Sequence, residues 1–261
     1  MIDGHIHFES RPYTLEGLQD FIKAAQAKQL DEIWLLEHTH RFIEWQPLYQ
    51  DILGIDEKQD EWYLKKQLIS IKEYQSFITE MRKLSFPIKV KFGLEVCFFP
   101  QHVEFIKNEL ASFPYDFAIG SVHFVDNVAY DIASFSKRIL WDARNHDEIY
   151  RRYYELMKEL IQSDLFNGVA HPDTIKLFNY YPSYDLTPTY LEISDLLNEH
   201  HMFAEDNGGC YYRYHHKDKG LSDELLKIFK EKHVQIQSAS DAHVPEHVGM
   251  LIQEINEKIN S

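Results

Sequence analysis

At 261 residues, 44% hydrophobic and 14% aromatic, the chain carries enough apolar side chain for one barrel-sized core and too much to remain disordered. A formal charge of −15, from 27 basic and 42 acidic residues, repels polyphosphate backbones and argues against a nucleic-acid partner. Cys97 and Cys210 are too few for a disulfide framework. No apolar run nears the roughly 18 residues of a membrane span, and no basic, apolar leader opens the sequence. A cytoplasmic protein with no membrane contact is expected, and no Pro/Gly/Ser-rich linker divides residues 1–261, so one domain is expected.

In chain order, residues 2–6 read as a strand carrying Asp3-Gly4-His5-Ile6-His7. Alternate residues of a strand share a face, so His5 and His7 can hold one cation together. Thr14 caps a helix whose Leu15, Leu18, Ile22 and Ala25 fall on one side. Residues 31–37 form a second strand ending at His38. The segment 40–60, with Trp45, Tyr49 and the adjoining Trp62, reads as a wall or lid, and a helix follows over 61–84. Further strands are predicted over 87–95, 117–122, 166–170, 201–205 and 234–238. Helices are predicted near 145–163, 188–199, 221–232 and 245–258.

Strands alternating with helices imply a parallel sheet. The pairs His5/His7 and Asp241/His243, together with His38, Glu95, His123, His171 and Asn207, each stand at or just past the carboxyl end of a predicted strand. In an open sheet these ends would lie along a crest. In a closed barrel they share one mouth. The expected fold is therefore α/β, a distorted (β/α)7 TIM-like barrel.

Seven segments in order, His5-Ile-His7, Glu37-His38, Gly93-Leu-Glu95, Gly120-Ser-Val-His123, Ala170-His-Pro-Asp173, Glu205-Asp-Asn207 and Ser240-Asp-Ala-His243, resemble the PHP (polymerase and histidinol phosphatase) superfamily, and within it the histidinol-phosphate phosphatases. The resemblance implies up to three metal ions in the barrel mouth. One would take His5, His7, Glu95 and Asp241, a second Glu95, His123 and His171, and a third His38 and His243. The family usually adds a loop histidine to the third site, where this chain has Tyr13. A weaker third site is expected, completed by water, by substrate phosphate or by His40.

Imidazole and carboxylate donors without thiolate suit zinc, manganese or iron, giving two or three divalent ions. Glu95, Asp241 and His243 are the positions expected to carry catalysis. Three divalent ions would bring roughly +6 to the site and so admit a small phosphorylated substrate despite the acidic chain. The expected activity is phosphomonoester hydrolysis by metal-activated hydroxide, with L-histidinol phosphate as the substrate the resemblance implies. Alternatives are another small ester (phosphotyrosine, a sugar or a nucleoside phosphate) or a non-catalytic metal-binding module. Asp3 reads as a turn cap or as a partner to a ligand histidine, Asp173 as a proton donor to the leaving group, and Arg41, Arg144 or Arg213 as a phosphate clamp.

Overall fold

All seven predicted strands are present in the computed structural model, which describes residues 1–66 and 68–261. In chain order the strands are β1 (Ile2–His7), β2 (Glu32–Leu36), β3 (Lys89–Cys97), β4 (Phe117–Ser121), a short hairpin of β5 (Phe124–Val125) and β6 (Val128–Ala129), β7 (Gly168–Val169), β8 (Phe203–Asn207) and β9 (Ile236–Ala239). Outside the hairpin every pairing is parallel, in the order β1-β2-β3-β4-β7-β8-β9. Helices cover the outside: α1 (Leu15–Ala27), α2 (Glu57–Leu64), α3 (Ile71–Met81), α4 (Val103–Ala111), α5 (His146–Gln162), α6 (Thr187–Glu199), α7 (Gly209–Tyr214), α8 (Asp223–Glu231) and α9 (Ile252–Asn260). No helix among the described residues is long and apolar enough to cross a membrane.

The barrel closes between β1 and the chain just beyond β9. His7 N donates to Ala242 O at 2.7 Å and Asp241 N to His5 O at 3.0 Å, with one bridge, Ile6 to Ala242, in place of a full ladder. Gly4 belongs to this seam, because a Cβ there would lie 2.6 Å from the Gln237 side chain. Alternation along the strands then divides the core in two. Ile33 and Leu35 of β2 pack outward with Phe21 and Ile22 of α1, whereas Trp34 and Leu36 join Phe117, Ile119, Ala170 and Phe203 in a separate cluster. Trp34 touches Phe117 and Phe203 at ring centroid distances of 4.9 and 5.5 Å, although β2 neighbours neither β4 nor β8. Those contacts must cross the barrel, so this cluster plugs its interior. Gly93 and Gly168 make room for it: a Cβ on either would fall within 2.7 Å of Phe117 or Phe203. Polar layers stand above the plug.

Two predicted helices are corrected. The span 61–84 contains the end of α2 and all of α3, while Gln67 within it lies outside the described residues. Ile69 pairs with the backbone beside Phe42, through Ile69 N to Arg41 O at 3.0 Å and Ile43 N to Ile69 O at 2.9 Å, which takes it out of a helix. Ser70 then caps α3, and Glu44 accepts from both Ser70 Oγ and Ile71 N. Likewise, 245–258 is helical only from Ile252, after a 3₁₀ turn and left-handed residues at Gly249 and Leu251. The 40–60 segment is a wall: 3₁₀ turns bury Trp45 and Tyr49 against the barrel.

Candidate metal centre

The carboxyl ends of six of the seven barrel strands, all but β8, bring His5, His7, His38, Glu95, His123, His171, Asp241 and His243 to one place. Glu95, buried on β3, is the hub. Its Oε1 lies 2.9 Å from His123 Nε2 and 3.1 Å from His171 Nε2. Its Oε2 lies 2.9 Å from His38 Nδ1 and 3.4 Å from both His5 Nε2 and His7 Nε2, yet accepts no well-directed hydrogen bond among the described residues. Asp241 Oδ1 approaches the same two nitrogens, at 3.7 Å from His5 and 3.5 Å from His7. Three overlapping groups are close enough to share a cation each: His5, His7 and Asp241; His38, Glu95 and His123; and His7, His38 and His243.

The donor chemistry fits divalent metal. His5 Nδ1 faces both Glu205 oxygens, at 2.9 and 3.1 Å, and His123 Nδ1 faces Asp131 Oδ2 at 2.7 Å. A carboxylate at Nδ1 holds the neutral ring's proton there and turns the Nε2 lone pair inward. Those lone pairs meet Glu95, and His5 Nε2 meets His7 Nε2 at 2.9 Å, a convergence that a shared proton or a metal cation between the atoms can stabilise.

Burial and the neighbouring carboxylates act in opposite directions on these rings. Burial pulls His5 down, but Glu205 outweighs it and raises the ring well above its ordinary value. Burial likewise opposes His123, which Asp131 nevertheless lifts to about 10. Glu95 would be pushed up by burial, yet the imidazoles of His38, His123 and His171 hold it well below the usual carboxylate range. Asp241 is held low by the Arg213 guanidinium and then by the histidines. Metal binding would displace the imidazole protons.

Backbone strain reaches two positions of the cluster. His171 and Asp241 both have positive φ, 30° and 59°, a conformation costing about 1–3 kcal/mol per non-glycine residue. Glu205 Oε2 accepts from His171 N at 3.1 Å, and the seam bond to His5 O fixes Asp241.

Several predicted residues stand elsewhere. Tyr13 faces away from the cluster: its hydroxyl donates to Glu37 at 3.0 Å and its ring stacks on Phe8 and Phe77. Asp3 accepts from Ser240 N at 2.9 Å and Gly249 N at 2.8 Å, so it caps turns at the seam and bonds no histidine ring. Asn207 donates to Glu205 and accepts from Gly209 N at the start of α7. Asp173 is taken by Lys176 at 2.6 Å and Ser222 N, which removes it as a proton donor. Arg41 is held by Glu37 at 2.6 Å, and Arg144 pairs with Asp126 on the outside. Arg213, on α7, lies beside the cluster, 3.3 Å from Asp241 and 3.0 Å from His243 Nδ1. His40 lines the mouth with its ring centroid 4.8 Å from that of His38.

Sequence reading missed Asp131 and the support that Glu205 gives His5. Glu205 follows the strand-end pattern and could have been found by it, whereas Asp131 lies in irregular chain after β6 and carries no such signal. Asp131→Asn is expected to weaken metal binding roughly 10–100-fold with the fold retained, since an amide no longer fixes the His123 tautomer. Competition titration against a calibrated chelator measures this; an unchanged affinity would remove Asp131 from that role.

A cavity of about 280 Å³ opens over the cluster, walled by Tyr49, Trp62, Phe124 and Tyr214, with Lys66 and Arg213 as its cations. The sequence profile of the PHP domain matches residues 3–238.

The chain belongs to the PHP domain family.

Two relatives of this PHP domain are named probable histidinol-phosphatases. That of Deinococcus radiodurans is 26% identical over 193 residues, covering 72% of each chain. That of Schizosaccharomyces pombe is 22% identical over 263 residues, covering 95% of this chain and 82% of the relative. The fold is similar to that of the histidinol phosphate phosphatase of Lactococcus lactis, solved with zinc, L-histidinol and phosphate. There the TM-score is 0.71 at 19% identity, covering 99% of this chain and 92% of the other.

Proposed function

We propose that this PHP domain, as one unit over 1–261, is a metal-dependent phosphomonoesterase that hydrolyses L-histidinol phosphate to L-histidinol and phosphate. The observation that carries the reading is the convergence of imidazole lone pairs on Glu95, beside Arg213, at the floor of a cavity of small-molecule size. The names of the two relatives support the choice of ester.

Two or three divalent ions, of zinc, manganese or iron, would be held by His5, His7, His38, Glu95, His123, His171, Asp241 and His243, and would supply an activated water and neutralise phosphoryl charge. The chain's own groups do the rest. Glu205 and Asp131 fix the rings of His5 and His123. Arg213, with five donors in a planar fork, orients the phosphoryl oxygens, and Lys66 adds a cation from the opposite wall. Trp62 and Phe124 exclude water and offer aromatic faces to an imidazole ring. The reaction needs no protein nucleophile, and both cysteines are buried thiols whose pKa burial pushes up, Cys210 to about 12.

A panel of histidinol phosphate, phosphotyrosine, a sugar phosphate, a nucleoside monophosphate and a DNA oligonucleotide, assayed on chelated and metal-restored protein, tests the reading. Activity is expected only after metal is restored and highest on histidinol phosphate. Preference for another ester would replace the substrate, and metal-independent turnover would remove the mechanism.

A further inference from the structure

His7, His38 and His243 form a group of neutral donors alone, in which the one lone pair of His7 also faces Asp241, and the residue whose family counterpart would complete the site of His38 and His243, Tyr13, is committed to Glu37 and to an aromatic stack behind β1. Glu9 stands beside His243. It lies in the turn just past β1, two residues after His7, and lines the same cavity. Its Oε1 lies 3.8 Å from His243 Nε2, while its Oε2 lies 3.7 Å from Arg41 Nε. Arg41 is itself anchored by Glu37, the partner of Tyr13. One oxygen of Glu9 is thus steadied by a guanidinium and the other is left toward His243.

We propose that Glu9 is the third protein ligand of a divalent cation held by His38 and His243, so that a carboxylate from H-x-H-x-E replaces the loop histidine where this chain has Tyr13. Two imidazoles with one carboxylate are a donor set that zinc and manganese accept, and the carboxylate offsets half of the ion's charge. Tyr13, Glu37 and Arg41 form the relay that holds Glu9 in place. The two groups that include Glu95 or Asp241 do not depend on it.

The inference rests on the metal-centre reading, and one experiment separates the two. Wild type, Glu9→Gln, Glu9→Asp, His40→Gln and Glu95→Gln are loaded with zinc alone, dialysed, and stripped stepwise with a graded chelator while bound metal is counted. Cobalt(II) absorption provides a second readout, and circular dichroism confirms folding. Wild type is expected to hold three equivalents. Glu9→Gln should release one of them at lower chelator, with a loss of affinity exceeding the roughly 10–100-fold typical of an outer partner, and with an altered cobalt spectrum. Glu9→Asp, which keeps the carboxylate, should recover part of the loss, and His40→Gln should match wild type. A wild type that holds only two equivalents, a Glu9→Gln profile identical to wild type, or loss of the third ion in His40→Gln alone would each overturn the assignment. Loss of metal in Glu95→Gln alone would leave the metal centre standing without Glu9.

Discussion

Glu95→Gln is expected to lower hydrolysis on the order of 10³-fold or more and to remove at least one metal equivalent, while leaving the melting temperature of the metal-free protein near wild type. The substitution keeps shape and deletes one charge. In the native site both carboxylate oxygens face imidazole nitrogens at 2.9–3.4 Å from five different histidines. An amide offers one acceptor oxygen and turns an NH2 toward the rest, so it cannot bridge two cations. Burial makes the loss local: Glu95 is 1% exposed, and no solvent carboxylate can take its place. Metal analysis and steady-state kinetics on the same preparation give the answer. Near-native turnover with full metal content would take Glu95 out of the centre.

Arg213→Met should cost about 10²–10³ in kcat/KM, the range typical of losing a positioned donor to developing oxyanion charge. Inorganic phosphate should inhibit the variant more weakly than it inhibits wild type. Methionine keeps much of the stem and removes the fork. Arg213→Lys should recover little, because an ammonium is a point charge without the bidentate geometry. Arg213 also helps keep Asp241 ionised, so metal content must be measured beside the kinetics. Unchanged inhibition by phosphate, with metal intact, would move the clamp to another residue.

The barrel and the convergence of the eight proposed ligand residues on its mouth were legible because both obey local rules. Strands alternate in and out, their carboxyl ends share one mouth, and His or Asp at such an end has one direction to point. What escaped depended on contacts between distant segments. The break after α2 is made by Ile69 bonding to Arg41 and Ile43, which no periodicity in 61–84 announces. Asp131 gains its meaning only when the chain beyond the β5–β6 hairpin folds back to His123. Tyr13 stands in the family's ligand register, but a nearby carboxylate, Glu37, and two phenylalanines compete for its ring and win. Glu9 was overlooked because it lies in the turn past β1, beyond the reach of the strand period.

The single-bridge seam between β1 and Ala242 has a consequence for assembly. Its two margins are the strand neighbours farthest apart in sequence in the barrel, so this contact closes the longest loop, at a cost that grows only with the logarithm of loop length. His5 and His7 sit on one margin and Asp241 and His243 on the other. A cation gripped from both margins would act as a rivet across the joint, adding its binding free energy to closure. An unfinished barrel, by the same geometry, would offer only half of the proposed chelate.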